Sequence, residues 1–303
     1  MTEQNWALAR KQQNLILRAR ILQQVRAFFI GRGLLEIETP QRIPANAPEL
    51  HIDAVESGEW VLQTSPELAL KRLLAAGYPD LFQLCRVWRA GERGLRHLPE
   101  FTLLEWYRRD TDYTTLMADC EALLAQLVPS GQLAWQGATI DLKPPWPRLS
   151  LAEAFRRHAS CSVNAALAAG RFDEVLALEV EPKLGSGPLF LVDYPAPLAA
   201  LARLKPGNPA LAERCELYLG GLELANGFSE LTDPIEQRAR FSADEAARRA
   251  AGKPSRPLPE PYLEELPKLP ACAGIALGID RLVMLLTGVP DIAEVVAFTP
   301  DRL

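Results

Sequence analysis

The sequence predicts an α+β fold built on an antiparallel sheet. Leu81–Trp88 and Glu100–Arg108 are apolar, strand-like runs joined by one short loop, which is the pattern of a hairpin. "CELYLGGLELANGFSEL", Cys215–Leu231, reads as a second pair of strands around Gly220-Gly221. Helical segments fall between these hairpins rather than after every strand, so the regular βαβ alternation of a parallel sheet is missing.

The elements follow in chain order. "NLILRARILQQVRAFFIGRG" places Leu17, Ile21, Val25 and Phe28 at helical spacing and ends at Gly31 and Gly33. "LLEIETP" is a short strand closed by Pro40, and "GEWVLQT" is another. In "TSPELALKRLLAAG" a helix is bracketed by Ser65 as N-cap, Pro66 at the first helical position and Gly77 beyond the end. After the hairpin a helix is expected from about Asp112 to Val128. "SLAEAFRRHA" carries a capping box, Ser150 with Glu153. "LFLVDYP" is a strand. "DPIEQRARFSADEAARRAAG" is an amphipathic helix with Asp233 as cap and Pro234 at its first position. Lys253–Pro270 is proline-rich and reads as a surface loop, and "AGIALGIDRLVMLLTG" as a glycine-containing strand running into a helix.

Composition narrows the class. The chain has 303 residues, 48% hydrophobic and 23% charged, enough for a substantial core as one large domain or two small ones. A formal net charge of -5 argues against a general nucleic-acid binder. The first twenty residues contain no apolar run between their charges, so neither a signal peptide nor a membrane anchor is expected. The five cysteines are scattered, odd in number and form no CxxC, which fits reduced thiols in the cytoplasm. Three histidines argue against a structural zinc site.

Three constellations carry chemistry. The hairpin's strand end and loop hold Arg86, Arg89, Arg93, Arg96 and His97 in a net acidic chain. This stretch is either a solvated charged loop or a clamp for a polyanion, since guanidinium forks match phosphate oxygens. Glu223 and Glu230 lie seven apart around "LANGFS": they are two surface acids, or they share a hard cation such as Mg2+. Arg281 sits in the first turn of an apolar helix behind Gly274 and Gly278. An unpaired cation there is costly, so its partner is an acid or a ligand phosphate. Together the three describe a nucleoside triphosphate site on an antiparallel sheet, with neither GxxxxGK[ST] nor GxGxxG.

These segments resemble the three signature motifs of class II aminoacyl-tRNA synthetases, the lysine branch in particular. "RGLLEIETP" resembles motif 1, "FQLCRVWRAGERGLRHLPEFTLLEWY" motif 2 and "GIALGIDR" motif 3, while "ELANGF" is similar to the metal- and substrate-binding strand of the lysine enzymes. The likeness runs from about Leu15 to the end. Only about fourteen residues precede the first core helix, too few for an anticodon-binding barrel. The chain is therefore similar to the short paralogues of that branch that ligate (R)-β-lysine to a lysine of translation elongation factor P. "LLEWYR", "ALGIDRLVML" and the tail "DIAEVVAFTPDR" support that choice. Ala276 stands where the synthetases usually have glycine, and its methyl would reshape the amino-acid pocket.

The resemblance implies the class II core, an antiparallel sheet flanked by helices, as a single catalytic domain over 1–303 with no anticodon-binding domain, and with ATP and Mg2+ as cofactors. It implies that β-lysine or lysine is adenylated with release of pyrophosphate, then transferred to elongation factor P, by a cytoplasmic homodimer that uses neither tRNA nor membrane. Arg89, Arg281 and Glu223 would be catalytic. Around ATP stand Arg89, Ala90, Gly91, Glu92, His97 and Leu98, with Phe101, Glu223, Leu224, Gly278 and Arg281 completing the set. Ser65, Glu67, Tyr107, Asn226, Glu230 and Ala276 would hold the amino acid, and Glu223 with Glu230 the Mg2+. Departures from the family pattern are Gly91 in place of an acid, which requires Glu92 to shift in, Leu98 in place of asparagine, and Pro197-Leu198 in place of serine-glutamine. Leu98 is expected to leave adenine recognition to its own backbone and to add apolar contact with the base. Two other readings stay open: a ligase for another small amino acid or acceptor, and a catalytically weak, synthetase-like regulatory binding protein.

Overall fold

The computed structural model describes residues 8–302. In chain order, α1 (Gln12–Gly31) leads to β1 (Leu35–Glu36) and to a small sheet of β2 (Arg42–Ile43), β3 (Glu56–Ser57) and β4 (Trp60–Leu62). Then come α2 (Glu67–Ala75), the hairpin β5 (Leu81–Trp88) and β6 (Glu100–Arg109), and α3 (Tyr113–Leu127). A separate hairpin, β7 (Gln132–Trp135) and β8 (Ala138–Asp141), precedes β9 (Arg148–Ser150) and α4 (Leu151–His158). After α5 (Val163–Ala168) and α6 (Phe172–Val175) follow β10 (Leu189–Pro195), β11 (Leu204–Lys205), β12 (Asn208–Leu219) and β13 (Leu222–Ser229). The chain closes with α7 (Pro234–Ala250), α8 (Glu260–Glu265), β14 (Cys272–Gly278) and α9 (Ile279–Thr287).

Nine strands form the main sheet, in the order β1-β5-β6-β14-β13-β12-β10-β9 with β11 on β12. Only its outer pairs, β1 with β5 and β9 with β10, are parallel. The expected antiparallel architecture is the observed one. One face of the sheet is apolar: Leu104, Trp106, Ile275 and Leu277 pack with Phe29 of α1, Leu123 of α3 and Leu282 of α9 in the largest core cluster. Side chains alternate along a strand, so the intervening residues Glu105, Tyr107, Gly274 and Ala276 are turned to the opposite, polar face.

Several local expectations are corrected. The buried stripe of α1 is Arg18, Ile21, Val25 and Phe28, while Leu17 is 40% exposed. Arg18 lies at the start of this stripe because its guanidinium pairs with Asp280 and donates to Thr102 Oγ1 at 2.8 Å. "LLEIETP" is extended strand only at Leu35–Glu36. The helix at 67 begins one residue late, although Ser65 Oγ still accepts the Glu67 N–H at 2.9 Å. The Ser150–Glu153 box is half formed: Ser150 Oγ accepts from Glu153 N–H, but the Glu153 carboxylate turns to Arg156 and Arg157. Lys253–Pro270 is not a surface loop. It contains α8, and its Tyr262, Leu263, Leu266 and Leu269 are buried against Leu70, Leu74 and Phe241. Proline spacing hid an apolar stripe that closes the fold over α2. Among the described residues, no helix is long and apolar enough to cross a membrane.

Candidate active site

The polar face of the sheet holds two adjoining clusters. The first gathers at the start of α2. Ser65 Oγ donates to Glu105 Oε1 at 2.5 Å, and Tyr107 donates to the other oxygen of the same carboxylate at 3.2 Å. One helical turn past Glu67, Lys71 donates to Glu67 Oε1 and pairs with Glu230. Register brings in the rest: Tyr107 is opposite Gly274, Glu105 and Asn226 are both opposite Ala276, and Phe228 is opposite Gly274. Six of the expected amino-acid contacts, Ser65, Glu67, Tyr107, Asn226, Glu230 and Ala276, therefore fall on this one side of the molecule.

The electrostatics of this cluster are unbalanced. Three carboxylates, buried Glu105 and Glu230 and half-buried Glu67, face one ammonium, Lys71. Burial and the neighbouring Glu67 push Glu105 up to about 8. Burial pushes Glu230 up to about 8 as well, against the opposing pull of Lys71. Burial alone would discharge Lys71, but Glu230 and Glu67 outweigh it and hold the ammonium well above its ordinary range. A cluster of this kind lacks cations.

The second cluster surrounds the hairpin loop. Arg89, just past β5, has its Nη1 3.7 Å from Glu92 Oε1 and its guanidinium 5.2 Å from the Phe101 ring. Its Nε is buried without a partner. Gly91 takes φ +80, a left-handed turn that swings Glu92 inward, so the glycine departure does not remove the acid from Arg89. Ala90 N–H donates to Asp53 O at 2.7 Å. Arg281 donates to Glu223 O at 2.7 Å, lies 3.6 Å from that residue's carboxylate, and reaches His97 Nε2. Burial, reinforced by Arg281, holds His97 below its ordinary pKa, so it is neutral. Gly278 caps α9 three residues before this arginine.

Two side chains on this side turn away from the site. Leu98 is only 8% exposed and belongs to the main core, so its side chain is not offered to a base. Leu224 likewise turns its side chain into the core, leaving only its backbone toward the site.

The Glu223–Glu230 metal pair is corrected. Seven residues of extended chain span about 20 Å, and Glu230 is held by Lys71 in the other cluster. The neighbour of Glu223 is Glu216. Pairing of β12 with β13 runs Leu217 with Ala225, then Tyr218 with Glu223, so Leu224 is an extra residue. This bulge changes the strand's phase and turns Glu223 to the side that already carries Asn226 and Glu216. Burial and the charge of Glu216 push Glu223 up to about 7. Two close carboxylates on rigid paired strands are a donor set suited to Mg2+, which takes oxygen ligands and few protein carboxylates. Arg214 organises the seam, donating to Glu216 Oε1 at 2.7 Å, Asn226 Oδ1 at 3.2 Å and Leu198 O at 2.8 Å. The loop at Pro197-Leu198 thus contributes a carbonyl where side chains were expected.

Sequence reasoning missed Glu105, Lys71 and Glu216. Glu105 was signalled by its alternation with Tyr107 along one strand. Lys71 was signalled as the polar residue between Leu70 and Leu74 on a buried helix face. Glu216 had no local signal, because the bulge that pairs it with Glu223 is invisible in the sequence. Glu49, on the segment between β2 and β3, was also missed. Burial pushes it up to about 7, with Arg89 pulling the other way.

Comparison with known proteins bears on this geometry. The family model described as tRNA synthetases class II (D, K and N) matches residues 5–302. Among curated proteins, the chain is similar to the elongation factor P–(R)-β-lysine ligases of Salmonella dublin, Salmonella gallinarum and Salmonella enteritidis PT4. Each is 39% identical over 322 residues, covering 98% of this chain and 98% of the relative.

Proposed function

The chain belongs to the class II tRNA synthetase family of the D, K and N type, and on that premise we propose that it is an ATP-dependent ligase for a diamino acid, (R)-β-lysine or lysine, which it transfers to a lysine of elongation factor P. The charge count of the α2 cluster carries the substrate class. Fully ionised, the three carboxylates would exceed Lys71 by two negative charges, and for want of two further cations Glu105 and Glu230 hold protons up to about 8. A diamino acid brings two ammonium groups, and its carboxylate loses its charge on becoming a phosphoric anhydride.

In the first step a carboxylate oxygen of the amino acid attacks the α-phosphorus of ATP. The bond to the β-phosphate oxygen breaks and pyrophosphate leaves with the electron pair. Arg89 holds the α-phosphate and stabilises the charge that builds on it, the electrostatic contribution expected to dominate such a reaction. Its orphaned Nε is a donor awaiting an oxygen. Arg281 grips the γ-phosphate, giving up its contact with the Glu223 carboxylate, and neutral His97 lines the adenine. Glu223 and Glu216 would hold Mg2+, which supplies positive charge across the phosphates. Ser65, Glu67, Glu105, Tyr107 and Glu230 orient the ammonium groups, while Asn226 and Ala276 line the pocket floor. In the second step a neutral lysine amine of the acceptor attacks the acyl carbon and AMP leaves.

We further propose that residues 1–303 form a single catalytic domain acting as a cytoplasmic homodimer without tRNA. Ile16, Leu17 and Leu35 are 39–41% exposed on α1 and β1, an apolar surface suited to a second copy. All five cysteines are free, as a reducing compartment would keep them. ATP–pyrophosphate exchange scanned over (R)-β-lysine, lysine and monoamino acids, followed by transfer to elongation factor P, tests the reading. Exchange driven best by a monoamino acid, or robust charging of tRNA, would overturn it.

A further inference from the structure

Lys71 takes no part in the chemistry above, yet it lies at the centre of the amino-acid pocket with its side chain fully buried. Its neighbours on the same helix, Leu70 and Leu74, are ordinary core residues. Packing alone would be served there by another leucine or a methionine. Instead the ammonium donates to Glu67 at 2.5 Å, pairs with Glu230 and lies 5.2 Å from the Phe228 ring. Glu230 presents Oε2 to Lys71, while its Oε1 lies 2.7 Å from where a Cβ on Gly274 would stand, beside the Tyr107 ring. One oxygen is thus pinned and the other is turned to the pocket floor. The remaining titratable groups around Lys71 are Glu105 and Tyr107 of β6, Tyr262 of α8 and Cys272 of β14. Lys71 is the only cation in that set.

We propose that Lys71 is a positioning residue for amino-acid recognition: it holds the Glu67 and Glu230 carboxylates in place, and occupies the third cation position so that the pocket takes two substrate ammonium groups and no more. This rests on reading the pocket as a diamino-acid site. Without Lys71 the carboxylates lose their one fixed counter-charge, and those that must give up protons to receive the substrate ammonium groups do so less readily. Raising the pH removes those protons and restores the site.

The test compares Lys71→Met and Lys71→Gln with the unmutated protein in ATP–pyrophosphate exchange, as a function of pH and amino-acid concentration. Both variants should raise the KM for the diamino acid by about tenfold or more, with the ATP KM within about twofold. The acid limb of kcat/KM should move up by about one pH unit or more, the scale of losing an adjacent opposite charge. A packing role would separate the two variants by shape and leave the acid limb in place, and that result overturns the proposal. Loss of the fold in both, seen by circular dichroism, would also overturn it by making the residue a structural one. If the unmutated protein shows no exchange with (R)-β-lysine or lysine, the functional reading fails instead, so the two failures are distinguishable.

Discussion

A Cβ placed on Gly274 would lie 2.1 Å from Cε1 of Tyr107, so the tyrosine ring occupies the space that any other residue at 274 would need. The same Cβ would come within 2.7 Å of Glu230 Oε1. Gly274→Ala must push both groups off the pocket floor. The expected outcome is a loss of exchange activity of about 100-fold, the scale of an ångström misplacement, with ATP binding retained. An alanine variant with normal exchange would show that neither group orients the substrate.

The clamp arginines give a second expectation. Arg89→Ala and Arg281→Ala should each lower adenylate formation by on the order of 10²-fold, without loss of the fold, because neither side chain is in the core. Single-turnover formation of the adenylate measures this directly. Near-normal rates in a folded variant would make that arginine structural.

Glu216→Gln and Glu223→Gln should each raise the Mg2+ concentration needed for half-maximal exchange by about tenfold or more, the scale on which altering a metal site weakens affinity. Glu230→Gln should instead raise the KM for the amino acid and leave the Mg2+ requirement alone. Mg2+ titrations at saturating amino acid separate the two classes, and identical behaviour of all three variants would contradict the division of the site.

Stability should depend on pH through the unbalanced pocket. Glu105 and Glu230 are raised from 4.5 to about 8, so the folded protein holds protons that the unfolded chain has released across that window. Stability therefore falls as pH rises through it, by the linkage between proton binding and folding. The melting temperature without ligand should drop between those limits, and a diamino acid should reverse much of the drop by supplying the missing cations. Binding near neutral pH should also release protons, seen as a buffer-dependent calorimetric heat. A flat profile would mean that the acids are already neutralised.

Leu98 supplies the last prediction. Because it is in the core, Leu98→Asn should destabilise the protein by about 1–3 kcal/mol, as expected when an unpartnered amide is buried, and should not tighten ATP binding. Thermal melts and the ATP KM of the same preparation decide the point.

How far the sequence could be read depends on which forces were local. Strand pairs around the basic loop and around Gly220-Gly221, and the capped helices at 65 and 233, were legible because alternation and caps are short-range signals. Arg89, Arg281 and Glu223 were legible as charges with no local reason to be where they are. Arg18, Lys71 and Glu216 were not, since each has its meaning from a partner across the fold: Asp280, Glu230 and Glu223 respectively. Tyr262 was hidden by its prolines, which mark a loop by composition while the residues between them fill a core.

The extra residue in β13 also bears on how such a chain can change over time. Substitutions along this strand alter one side chain at a time and leave its neighbours facing as before. A deletion of Leu224 acts differently: it removes the change of phase, and Glu223 must then turn toward the apolar core while Asn226 keeps its place. The carboxylate next to Glu216 would be lost with no change in the composition of the site. The turn at Gly220-Gly221 lies too close to absorb the shift, as only Leu222 separates it from Glu223. The length of this hairpin is therefore fixed more tightly than its letters, and drift in this region should proceed by replacement while gaps accumulate elsewhere.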